Sequence, residues 1–248
     1  MYMRKLLLAA GFGVLLILAI GGLLKDGGSD DTTFTPSQPI KTTTQPSFNM
    51  QAHSLTDPTS IWVVVNKQRP LSPKEYIPAD LGGTGVAMRN GTIQVRAEVA
   101  AALQAMFAAA EKNKTALRVS SGYRSYNYQV GLYNGYVNKE GQVAADAESA
   151  RPGYSEHQTG LAADIGPFYE HCNVEACFAD TPEGKWLAAE SYKYGFIIRY
   201  PDGKQAITGY NYEPWHVRYV GATLATEMHN RGIQTIEEFF TLGAASNY

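Results

Sequence analysis

His157, Asp164, Glu213 and His216 have the residue types and spacing from which a metal-assisted hydrolysis could be built. They lie in two short segments, SEHQTGLAAD (155–164) and EPWHVRYVG (213–221). Two imidazoles and a carboxylate, from His157, His216 and Asp164, can ligate Zn2+ and leave its fourth position to water. Such a site lowers the pKa of the bound water to about 7. Glu213, just upstream of His216, is a carboxylate that could take a proton from it. Spacing alone is thin evidence for a metal. A lone histidine is more often a hydrogen-bonded structural residue, and His53, His171 and His229 have no comparable surroundings.

Neighbouring residues have less specific readings. Arg124 follows a turn at Gly122, where a guanidinium can project into a cleft or equally form a surface ion pair. Ser155 and Gln129 could hydrogen-bond a peptide or its terminal carboxylate, although both types also cap helices and turns. Trp215 is expected to pack behind the site rather than touch substrate, and Arg218 to pair with a structural carboxylate. A serine mechanism has no foothold, because the chain contains neither Ser-x-x-Lys nor Lys-Thr-Gly. β-Lactams should therefore find no serine to acylate.

The elements that must position these residues are legible in part. IWVVVNK (61–67) reads as a strand, and the proline-rich QRPLSPKEYIPADLGG after it as an irregular stretch. Val95, Val99, Leu103, Met106 and Phe107 recur at helical spacing and predict a helix over 92–113. ALRVSSGY (116–123) reads as a strand entering a turn, 125–138 as a helix, AADI (162–165) as a strand end and 182–194 as helix. FIIRY (196–200) and QAITGY (205–210) flank Pro201-Asp202-Gly203-Lys204 and predict a β-hairpin. Helices over 221–230 and 235–242 close the chain. Gly160 argues against a helix through His157, which leaves it on a loop entering the Asp164 strand. Pro214 disfavours helical geometry at Glu213 and implies an extended or turn segment for Glu213 and His216. Strands and helices in mixed order imply an α+β domain rather than a doubly wound sheet.

Composition bounds the class. A net charge of −2 is no electrostatic footprint for nucleic acid. Arg4 and Lys5 precede an uncharged apolar run, 6–24, long enough at helical rise to reach roughly 28 Å. Residues 1–25 are thus expected to be an uncleaved signal anchor, or a signal peptide cut near Ala19-Ile20-Gly21, with the remainder exported. Residues 26–54 are rich in Thr, Ser and Pro and read as a flexible linker, with the folded domain at 55–248. Cys172 and Cys177 are the whole cysteine complement; in an exported protein they are most simply a disulfide closing a small loop.

SGYRSYNYQ (121–129), SEHQTGLAAD and EPWHVRYVG together resemble the VanY-like zinc D-alanyl-D-alanine carboxypeptidases, a family of peptidoglycan peptidases. The resemblance extends to IWVVVNKQRPLSPKEYIPADL (61–81), covers roughly residues 55–243, and matches the family's motifs in type and order. It implies His157, Asp164 and His216 as ligands of one Zn2+, Glu213 as catalytic base and a substrate-facing Arg124. It further implies a single catalytic domain with a central antiparallel sheet of the Hedgehog/DD-peptidase type. Its substrates would be peptidoglycan stem peptides, cut at the terminal D-Ala-D-Ala bond. An L,D-carboxypeptidase acting on tetrapeptide stems shares the ligand set and stays open. A non-catalytic zinc-stabilised wall-binding module also stays open, although such a module has no use for Glu213.

Overall fold

A four-stranded antiparallel sheet, whose two faces have opposite characters, carries the candidate site. The computed structural model describes residues 48–169 and 171–248. The expected anchor at 1–25 and most of the linker lie outside the described residues. Among the described residues, no helix is long and apolar enough to cross a membrane. The packed body takes in Phe48, upstream of Leu55, stacked on Trp62 at 5.6 Å between ring centroids.

The sheet consists of β3 (Leu117–Ser121), β4 (Ala162–Pro167), β5 (Phe196–Tyr200) and β6 (Glu213–Tyr219), in the order β3-β4-β6-β5. A small ribbon of β1 (Leu81–Gly83) and β2 (Gln94–Arg96) precedes helix α1 (Ala97–Lys112). On one face of the sheet, Val119, Ala163, Ile165 and Val217 share a core with Val99, Leu103, Met106 and Ala110 of α1. Leu103 and Met106 are fully buried there, each contributing about 1.5–3 kcal/mol of apolar burial. The other face carries Asp164, His216, Arg218 and Arg199, all buried. Side chains alternate along a strand, so the apolar face anchors the sheet and frees the polar one for chemistry.

Helices α2 (Tyr126–Glu140) and α3 (Gln142–Glu148) meet at Gly141, and Ser125 caps α2 by accepting from Tyr128 N at 3.2 Å. Helix α4 (Pro182–Glu190) continues as a 3-10 turn through Tyr194, so 182–194 is helical as expected. Helices α6 (Ala222–Arg231) and α7 (Ile236–Phe239) form a second core with Trp62, Val64 and Ile197.

Three expectations need correction. The helix expected over 92–113 starts only at Ala97, because the backbone of 94–96 is engaged elsewhere: it pairs with β1, and Gln94 O accepts from Tyr123 N at 2.7 Å. Among the described residues, IWVVVNK joins no sheet. Its alternation instead feeds both cores, Val63 and Val65 into one, Trp62 and Val64 into the other. Where a strand neighbour would stand, the Arg218 guanidinium donates to Ile61 O at 3.0 Å and Val63 O at 2.7 Å. The hairpin forms with a different partner. The turn after Pro201 keeps winding, with Ile207 N and Thr208 N bonded to Lys204 O, so 205–208 become the short helix α5 (Gln205–Thr208). The strand antiparallel to β5 is β6.

Candidate active site

Strand register brings the acidic and basic residues together. Asp164 on β4 pairs directly with His216 on β6, and Glu213 pairs with Tyr200 on β5. Strict alternation would put Glu213 and His216 on opposite faces. An irregularity in the β5–β6 register, between Ile198 and Tyr200, breaks that alternation. Glu213 Oε2 consequently stands 3.3 Å from His216 Nδ1. His157 comes from a 3-10 turn, Glu156–Thr159, closed by Gly160 at φ 68. There a side chain would be strained and its Cβ would press on Arg96. The strand-end turn at Gly122 clasps His157: Gly122 O lies 2.6 Å from Nδ1, and Arg124 N donates to His157 O at 3.2 Å. The first contact places the His157 ring proton on Nδ1 and leaves Nε2 as an acceptor.

Three ligand atoms then converge. Asp164 Oδ1 lies 3.4 Å from His157 Nε2 and 3.5 Å from His216 Nδ1. A tetrahedral zinc with bonds of about 2.0–2.1 Å has ligand–ligand edges of about 3.3–3.4 Å, which these two separations match. All three residues are buried, and their ligand atoms lie within 4.8 Å of one another. Among the described residues, His157 Nε2 and Asp164 Oδ1 have no hydrogen-bond partner, a costly state for buried polar atoms that a cation would relieve. On the far side of the ring, His216 Nε2 faces Glu156 Oε2 at 3.7 Å. Glu156 is thus placed behind a ligand, where a carboxylate orients the imidazole.

The electrostatics agree. Burial, aided by the Arg124 charge, lowers the His157 pKa to about 4, so this ring is neutral and able to ligate near pH 7. Burial also opposes charge on His216, but the Glu156 and Glu213 carboxylates outweigh it and raise its pKa to about 9. A proton there occupies the place a cation would take. Burial likewise opposes charge on Asp164, yet His157, His216 and Arg124 hold it well below the usual carboxylate range. Burial pushes the Glu213 pKa up, against the pull of His216.

A cavity of about 180 Å³ opens onto these groups, lined also by Arg124, Ser155, Glu156, Val174, Tyr200, Tyr210 and Trp215. Among the described residues the buried Arg124 Nε has no hydrogen-bond partner, and the guanidinium charge acts on His157, Asp164 and Glu213. Ser155 lines the cavity. Gln129 does not: its amide donates to Ser149 Oγ at 3.1 Å and Ala150 O at 2.7 Å, bracing from behind two residues that do. Trp215 packs against the main core but also lines the cavity, so the expectation that it stays behind the site holds only for part of its surface.

Of the cluster beneath the site, the sequence pointed only to Arg218. Glu156 Oε1 accepts from Arg199 Nε and Arg218 Nη1, both at 2.8 Å, and Arg199 forms a two-pronged pair with Glu237 at 2.6 and 3.0 Å. Arg218 does pair with a structural carboxylate, and that carboxylate is Glu156. One available signal was an arginine enclosed by apolar residues in each strand motif, FIIRY and HVRYV, since a buried guanidinium requires an acid. The two cysteines form the expected disulfide, Cys172–Cys177.

The sequence profile of a family described as VanY, D-alanyl-D-alanine carboxypeptidase, matches residues 92–222. The chain is 36% identical over 260 aligned positions to YodJ of Bacillus subtilis (strain 168), provisionally named a carboxypeptidase, with 94% of each chain covered. Among solved structures it is similar to the LD-carboxypeptidase LdcB, at TM-score 0.70 and 43% identity, covering 74% of this chain and 87% of that one. It is also similar to a mutant of the vancomycin-resistance D,D-pentapeptidase VanY in complex with Zn(II), at TM-score 0.61 and 32% identity, covering 71% and 97%.

Proposed function

The chain belongs to the VanY D-alanyl-D-alanine carboxypeptidase family, and from that premise we propose that it is a zinc-dependent D,D-carboxypeptidase removing the terminal D-alanine of peptidoglycan stem peptides. The observation that carries this reading is the convergence of His157 Nε2, Asp164 Oδ1 and His216 Nδ1, with both imidazole nitrogens 3.4–3.5 Å from the carboxylate oxygen, a separation that suits tetrahedral zinc. Zinc in that triangle would polarise the scissile carbonyl and acidify water. Glu213, buried beside His216, accepts a proton and returns it to the leaving amine; its raised pKa suits both roles. Arg124 lines the cavity, where its guanidinium can donate to a carbonyl developing negative charge or to a terminal carboxylate. Ser155 contributes a hydroxyl to the same wall. The catalytic domain works outside the cytoplasm, held at the membrane or released from it. The apolar run at 6–24 and the Cys172–Cys177 disulfide support export.

A second reading is release of the final residue from tetrapeptide stems. The higher identity to LdcB, a named LD-carboxypeptidase, favours it. One experiment separates the two. The full chain is incubated with pentapeptide and tetrapeptide muropeptides, with and without a chelator, and the released amino acid is identified. Chelator-sensitive release from the pentapeptide supports the leading reading, and release only from the tetrapeptide supports the second. Metal binding without hydrolysis of either returns the binding module.

A further inference from the structure

Val174 is held in a conformation that its own side chain disfavours. It has φ 56, in the left-handed region where a β-branched residue is a true outlier. Such strain persists only where the surroundings over-determine it, and it gathers at ligand clamps. The surroundings here are specific. Cys172, itself at φ 57 and buried in the main core, is bonded to Cys177 and closes the loop. Between them Asn173 is buried on the sheet, accepting from Ser120 Oγ at 2.6 Å. It can settle there because Gly166 on β4 has no side chain; a Cβ on Gly166 would collide with Asn173 Oδ1. Pinned at both cysteines and through Asn173, the loop presents Val174, 37% exposed, to the cavity that holds His157, Asp164, Glu213 and His216.

Glycine would satisfy this backbone without strain, yet the position carries an apolar, branched side chain. We propose that Val174 is a specificity-determining residue: a wall, fixed by the disulfide loop, that limits the substrate end entering the metal cavity to a side chain about the size of a methyl group. The volume is consistent with this. At about 180 Å³ the cavity falls below the roughly 300–1,000 Å³ of sites for larger ligands. The inference rests on the carboxypeptidase reading above.

The test uses the zinc-loaded full chain and two stem peptides, one ending in D-alanine and one in D-valine. V174A and V174G should raise kcat/KM for the D-valine peptide relative to the D-alanine peptide by about tenfold, the usual worth of pocket methyl groups. Zinc content should stay unchanged. V174G should melt no lower than wild type, because it relieves the positive φ while removing the wall. The double variant C172A/C177A should move selectivity in the same direction. A ratio within about twofold of wild type in folded, zinc-replete V174A and V174G overturns the inference while the wild-type rate upholds the function. A V174G protein that melts well below wild type overturns the claim of a strained wall. Failure of the wild type on every stem peptide removes the proposed function, and the inference with it.

Discussion

Two buried charged clusters sit side by side on the polar face of the sheet, and they are built on opposite principles. Glu156, Arg199, Arg218 and Glu237 form a closed cluster: two guanidiniums meet two carboxylates at 2.6–3.0 Å, with Asn66 Nδ2 adding a bond to Glu237 at 2.9 Å. The neighbouring His157, Asp164, His216 and Glu213 form an open one. His157 Nε2 faces Asp164 Oδ1 at 3.4 Å, acceptor against acceptor, and among the described residues both are left without a hydrogen-bond partner. Matched charges need nothing further and serve the fold. Mismatched acceptors cost stability and await a cation, which is how a functional site differs from a structural ion pair of similar composition. Glu156 belongs to both, with one oxygen on the arginines and the other facing His216.

This contrast can be broken from either side. The largest effect should come from the open cluster: E213Q is expected to lower kcat about 10²–10⁴-fold with zinc still bound, read by steady-state kinetics and metal analysis. An E213Q enzyme of near-normal kcat would remove the proposed base. In the closed cluster, E156A strands two buried guanidiniums and should cost about 3–5 kcal/mol in denaturant unfolding. H157A, by contrast, should leave the metal-free fold nearly intact while abolishing zinc binding. If both substitutions cost the metal-free fold equally, the division into structural and functional clusters is wrong. Chelation comes next. Removing a metal present at about 100 times its Kd should cost about 2.7 kcal/mol, seen as a lower Tm that zinc restores.

A further effect is a pH dependence of the metal-free protein. His157 has its folded pKa lowered to about 4 from 6.5, so its contribution is full above pH 6.5 and is lost as pH falls toward 4. His216 has its folded pKa raised to about 9, so its contribution is full below pH 6.5 and is lost as pH rises through 9. The chelated protein should therefore show its highest Tm close to pH 6.5, from these two groups, and H157A should flatten the acid side only. A chelated wild type whose Tm climbs steadily to pH 9 would contradict this.

The family resemblance was legible because its motifs are local strings, and the site residues it implied converge on one cavity; Gln129, offered on its residue type alone, is set behind it. Gln129 was misread because an amide in such a motif has the same appearance whether it faces a ligand or braces the chain behind one. IWVVVNK has the alternation of a strand and is buried like one, but its carbonyls are taken by Arg218, more than 150 residues away in sequence. The hairpin failed for a local reason: the turn after Pro201 could continue as helix, and propensity does not separate the two outcomes.

By itself the sequence determined the chemistry available and the periodic elements: the two histidine segments, the helix carrying Leu103 and Met106, and the extended strand imposed by Pro214. Each follows from the residue itself or from neighbours within a turn or two, where covalent geometry and periodicity act. Only the tertiary structure decided which acid answers which base, how an irregular register turns Glu213 toward His216, and why Val174 faces the metal cavity. Those outcomes depend on strand pairing and on contacts between distant segments, and burial then makes every unmatched polar atom count.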